Sequence, residues 1–62
     1  MSSQEIFIET LRIGNAIRVT AIHAESGIEV VFQAPFNTGR KKLHQLAADK
    51  LRYVMMKGKE DT

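Results

Sequence analysis

A single proline, Pro35, divides the 62-residue chain into two parts with different hydrophobic periodicity. Before it, apolar and polar residues alternate and β-branched residues are frequent, which is typical of β-strands. After it, apolar residues recur at intervals of three and four, which indicates an amphipathic helix. Because proline lacks the N–H group that a sheet needs, the strands should end there and the helix should begin a few residues later.

The first part carries two turn signals at the spacing of short hairpins, GN at 14–15 and ESG at 25–27. Glycine can adopt the positive φ that such turns require. The sequence therefore predicts an antiparallel three-stranded meander, with strands at about 4–13, 16–24 and 28–34.

The second part predicts one helix at about residues 39–57, followed by a frayed tail at 58–62. Asn37 or Thr38 is expected to supply the N-cap oxygen, and Gly58 to end the helix. The apolar positions on one side of the helical wheel are Leu43, Leu46, Ala47, Leu51, Val54 and Met55. The predicted fold is a single α+β domain of order β-β-β-α.

The size of the chain limits how this domain can be stabilised. Residues 1–62 form one small domain without cysteine, so disulfide bonds and thiolate zinc sites are excluded. His23 and His44 cannot form a closed four-ligand metal site unaided, and no cofactor is expected. Small domains without disulfide bonds or structural metals often oligomerise, so we predict a homodimer.

The predicted dimer interface follows from the apolar residues that one helix cannot cover. Strands 1 and 3 are apolar on both faces, and a contiguous apolar patch usually marks an interface. The candidate interface residues are Ile6, Ile8, Val31 and Lys50. Lys50 falls within the apolar stripe of the helix, where its stem can snorkel to the sheet edge or its ammonium can pair with Glu9 or Glu29 across a dimer.

Three segments resemble a family of short uncharacterised bacterial proteins: 14–22 (GNAIRVTAI), 25–30 (ESGIEV) and 46–55 (LAADKLRYVM). The resemblance implies a small strand-rich fold that is closed by a helix and is dimeric. It implies no activity and no catalytic residues. His23 stands where the resemblance leads us to expect a more acidic residue.

Charge is divided unevenly, with a net −2 in residues 1–37 and +4 in residues 38–62. The two halves could attract each other in two copies of the chain, or the basic half could face an external anion. The cations are densest at the start of the predicted helix, in the segment Thr38, Gly39, Arg40, Lys41 and Lys42.

This basic segment predicts an alternative function, binding of an anion or of nucleic acid. Cations in a first helical turn oppose the helix dipole, and the free N–H groups there suit phosphate or carboxylate. The simpler interpretation is a solvated basic turn or a salt bridge to Glu25 or Glu29 of a neighbour. Nucleic acid is not favoured, because the net charge of the whole chain is only +2.

Catalysis and membrane insertion have little support in the sequence. His23, Glu25 and Ser26 lie around one turn, but strand alternation directs neighbouring side chains to opposite faces and predicts no triad. No apolar run approaches the roughly 18 residues of a membrane span, and the first residues lack the features of a secretory signal. We therefore expect a cytoplasmic, non-enzymatic interaction module whose partner is a second copy or an unidentified protein.

Overall fold

The computed structural model describes residues 5–60, the last three of them by backbone alone. Three antiparallel strands are followed by one helix, which confirms the predicted β-β-β-α meander and its α+β class. The elements are β1 (Ile6–Ile13), β2 (Ala16–His23), β3 (Glu29–Pro35) and α1 (Arg40–Glu60). The strand boundaries lie within two residues of the predicted ones, apart from the predicted start of strand 1 at Gln4, which is outside the described residues.

Glycines with positive φ form both hairpin connections. Gly14, at φ +61°, precedes Asn15 in a two-residue turn that pairs Ile13 with Ala16. Gly27, at φ +77°, closes the second connection, where its N–H donates to the carbonyl of His23 at 2.8 Å. Other residues adopt such φ values rarely, which is why these two positions carry glycine.

The helix begins and ends later than the sequence predicts. The Leu43 N–H donates to the Gly39 carbonyl at 3.0 Å, so Gly39 is the N-cap residue in place of Asn37 or Thr38. At the other end, α1 continues through Gly58 to Glu60, so the predicted end at Gly58 was wrong. A glycine ends a helix where it turns left-handed, but inside a helix it costs only about 1 kcal/mol relative to alanine.

Helix α1 covers one face of the sheet, and the core lies between them. The buried apolar residues, which come from the middle strand, the end of β3 and the helix, are Val19, Ala21, Ala34, Leu43, Ala47 and Leu51. Half of them are alanines, so the side chains of the core have a small total volume. Ile6 and Ile8 pack against this core as half-buried residues.

Candidate interaction surface

The face of the sheet that α1 does not cover carries several exposed apolar side chains. We call it the open face. Because side chains alternate along a strand, it is formed by every second residue of each strand. Its members are Phe7, Glu9, Leu11 and Ile13 from β1, Ala16, Arg18, Thr20 and Ile22 from β2, and Glu29, Val31, Gln33 and Pro35 from β3.

Large apolar side chains on the open face remain in contact with water. Phe7, Leu11, Ile13 and Val31 are exposed by 54%, 61%, 50% and 50%, respectively. Scattered exposed apolar residues are normal on a protein surface, but these four share one face of a three-stranded sheet. Their grouping makes the open face the strongest candidate for contact with another molecule.

The strand register arranges the open face in four rows. From one end to the other, the rows are Phe7–Ile22–Glu29, Glu9–Thr20–Val31, Leu11–Arg18–Gln33 and Ile13–Ala16–Pro35. The first and last rows are mostly apolar, and charge in the two middle rows is confined to Glu9 and Arg18. Both of these side chains line one shallow depression of about 230 Å³.

Glu9, Arg18 and Glu29 make no salt bridge within the described part of the chain. The single ion pair found there joins Arg52 to Asp49 on the exposed side of the helix, at 3.3 Å. Three charged side chains therefore stand on or beside an apolar surface without an opposite charge bound to them.

The structure does not bring the four predicted interface residues together on one surface. Val31 lies on the open face, whereas Ile6 and Ile8 lie on the opposite face, beside the helix. Lys50 is exposed on α1, and its ammonium lies 5.3 Å from the ring centroid of Phe32.

The stem of Lys50 thus follows the snorkelling interpretation, with its ammonium near β3. It forms no ion pair with Glu9 or Glu29 inside a single described chain. The pairing across a dimer that the sequence suggested stays a prediction.

Two grooves flank α1 where it leaves the outer strands uncovered. The groove beside β3, of about 470 Å³, is lined by Phe32, Leu46, Lys50 and Tyr53, among others. The groove beside β1, of about 490 Å³, is lined by Ile6, Ile8, Thr10, Thr38, Arg40, Leu43 and His44. Two of the four predicted interface residues line each groove. The groove beside β1 is also lined by Thr38 and Arg40, which belong to the predicted anion site.

The predicted anion-binding residues lie together at the start of α1. Arg40, Lys41 and Lys42 form the first helical turn, which contains no acidic residue. Arg12 lies at the same end of the molecule, because its guanidinium is 4.4 Å from the ring centroid of Phe36 in the connection before the helix.

The turn between β2 and β3 contains a serine–histidine hydrogen bond that strand alternation did not predict. Ser26 Oγ lies 2.8 Å from Nδ1 of the buried His23, and the Ser26 N–H donates to the same nitrogen at 3.2 Å. The Ile28 N–H in turn donates to Ser26 Oγ at 3.2 Å. These bonds satisfy the polar groups of a tight connection, so the arrangement stabilises the turn.

Among the described residues, no group of three or more His, Cys, Asp or Glu side chains could hold a metal ion. The described helix is not long and apolar enough to cross a membrane.

These features define a small α+β domain with one sheet face under a helix and the other, largely apolar, uncovered. Residues 3–59 match the family described as a domain of unknown function (DUF6898). The chain belongs to this family, which confirms the resemblance to an uncharacterised family seen in the sequence. No curated protein and no solved structure matches the chain.

Proposed function

We propose that this protein is a small non-enzymatic interaction module that works as a homodimer. The observation that carries the proposal is the open face, where four large apolar side chains are at least half exposed on one rigid sheet. Burying apolar surface contributes about 25 cal/mol per Å². A second copy that covers this face would add to the stabilisation that the small core provides.

Three further parts of the proposal are based on the sequence alone. The cytoplasmic location, the bacterial origin and the absence of catalysis stay predictions. The His23–Ser26 hydrogen bond does not argue for catalysis, because its polar atoms stabilise the turn between β2 and β3.

The competing function, binding of an anion or of nucleic acid at the start of α1, has weaker support. The first-turn N–H groups and three adjacent cations favour an anion there. These cations are exposed, however, and an exposed ion pair contributes only about 0–1 kcal/mol. The proposal therefore rests on the open face and not on the basic segment.

The proposed dimer is tested by sedimentation velocity over protein concentrations from about 1 to 300 μM. We expect a monomer–dimer equilibrium, and a species that stays monomeric throughout would refute the proposal.

A matched pair of variants locates the contact. Leu11 on the open face and Met56 on the helix are exposed by 61% and 57%, so replacing each with glutamine removes a similar apolar surface. Leu11→Gln should raise the dimer Kd at least about tenfold, because each dimer loses two buried leucines. Met56→Gln should leave the dimer Kd unchanged, and equal effects of the two variants would exclude the open face as the contact.

A further inference from the structure

We infer that two copies of the chain pack open face against open face about a twofold axis that runs across the strands, and that Arg18 of each copy pairs with Glu9 of the other. This inference rests on the proposed homodimer and adds its surface, its symmetry and the residue pair that fixes its alignment.

The position of Arg18 selects the axis. When the strands of the two copies are aligned, two identical faces can stack about an axis along the strands or about one across them, and both arrangements are isologous. Arg18 lies on the middle strand, so an axis along that strand would place it against Arg18 of the partner copy. Like charges in direct opposition cost several kcal/mol at an interface, which disfavours that arrangement.

An axis across the strands, between the Thr20 row and the Arg18 row, avoids this conflict. It places Arg18 opposite the partner's Thr20, with the partner's Glu9 one strand to the side, about 4.8 Å away in the plane of the sheet. It also places Phe7 opposite the partner's Ile13. The two end rows, which are apolar apart from Glu29, then meet each other.

The charges of the open face complement each other in this alignment. Within one chain, Arg18 is paired with Leu11 and Glu9 with Thr20, so the two charges are only diagonal neighbours and form no salt bridge. In the dimer the symmetry repeats the Arg18–Glu9 contact, which gives two opposite-charge pairs. Glu9 lies on the outer strand β1, so each pair is at the rim, where water limits the cost of desolvation.

The size of the face predicts a weak dimer. Strands about 4.8 Å apart and seven or eight residues long present a sheet of roughly 15 by 25 Å. A standard interface buries about 800 Å² of each partner, so this surface belongs with the smaller ones. Association should therefore depend on concentration, and charge reversal should change it measurably.

Charge reversal in mixed pairs tests the inference. Arg18→Glu alone and Glu9→Arg alone each place like charges at both contacts of a homodimer, so each should raise the Kd at least about tenfold. An equimolar mixture of the two variants places opposite charges at both contacts between unlike chains. The mixture should therefore form a heterodimer with a Kd close to that of the unmodified homodimer.

Mixing the two variants distinguishes a contact between two chains from a contact within one chain. In both variants the two charges within a chain are alike, so a contact inside one chain cannot restore association. Glu29→Arg is the matched control on the same face, because Glu29 lies farther from the partner's Arg18 in this alignment, and its mixture with Arg18→Glu should not restore the dimer. Lys42→Glu gives the same net charge as Arg18→Glu from outside the face and should leave the Kd unchanged.

Sedimentation velocity of each variant and mixture distinguishes the outcomes, with circular dichroism as the check on folding. Restoration in the Arg18→Glu and Glu9→Arg mixture alone supports the inference. A dimer that tolerates both single variants leaves the homodimer in place and refutes this surface for it. Restoration by Glu29→Arg as well refutes the alignment, and a monomeric unmodified protein refutes the inference together with the proposed function.

Discussion

The turn between β2 and β3 shows how single polar atoms specify a connection. Nδ1 of His23 accepts a hydrogen bond from the Ser26 N–H, which leaves the ring proton on Nε2 when the histidine is neutral. Ser26 Oγ lies 2.8 Å from the same nitrogen and accepts from the Ile28 N–H. The sequence places His23 and Ser26 close together, but their bond depends on the path of the turn.

Replacing Ser26 with alanine tests this arrangement. The Ile28 N–H and His23 Nδ1 each lose a hydrogen-bonding partner, so we expect the free energy of unfolding to fall by about 1 kcal/mol. In a domain of this size, the thermal midpoint should decrease by roughly 4–8 °C. Ser26→Thr keeps the hydroxyl and should stay close to the unmodified protein. A midpoint for Ser26→Ala that matches the unmodified protein would show that the hydroxyl contributes nothing to stability.

At the scale of elements, the order and type of all four segments could be predicted from the sequence. Gly14 and Gly27 marked the turns, and the change of periodicity after Pro35 marked the helix. The end of α1 could not be predicted, because Gly58 is compatible with both a helix interior and a helix end. The predicted interface set combined residues from both faces of the sheet for a different reason. The two-residue turn sets the register that pairs Ile8 with Ala21, so Ile6 and Ile8 lie on the covered face. Counting the register back from that turn groups Ile6 and Ile8 on one face with Ala21, and the packing of α1 then decides which face is covered.

Replacing a cation with an anion at the two ends of α1 should change the stability of the fold in opposite directions. Lys41 lies in the first helical turn, where a cation opposes the dipole, so Lys41→Glu should stabilise the fold by about 0.3–1 kcal/mol. Lys57 lies in the last turn, with its ammonium 5.9 Å from the ring centroid of Tyr53. Lys57→Glu should therefore destabilise the fold. Urea unfolding monitored by circular dichroism measures both variants, and a change of the same sign would contradict the dipole explanation.

At the scale of the whole molecule, the fold redistributes the charges of the two halves. The β1–β2 turn and the start of α1 lie at one end, where Arg12 joins Arg40, Lys41 and Lys42. Glu25 and Glu29 lie at the opposite end, at the β2–β3 turn. Arg12 extends the basic surface beyond the start of α1, and all four of these cations are exposed.

Titration with inorganic phosphate and with a short DNA duplex tests the competing function. Exposed cations in an open site are screened by salt, with a Debye length of about 8 Å at physiological ionic strength. We therefore expect the amide signals of residues 39–43 to shift only at low salt and without saturation. A saturable shift at physiological ionic strength, lost in Lys41→Glu, would favour the anion-binding function over the dimer.

The sequence by itself determined the number, order and type of the elements, because turn residues and hydrophobic periodicity act over a few neighbouring positions. Tertiary structure alone decided which apolar residues remain exposed, since that depends on which face of the sheet the helix covers. Arg12 and Phe36, far apart in the chain, meet because the strand register places the end of β3 beside the β1–β2 turn. The uncovered face, with Glu9 and Arg18 among its apolar side chains, exists only once the three strands are paired in register and α1 is packed on the other side.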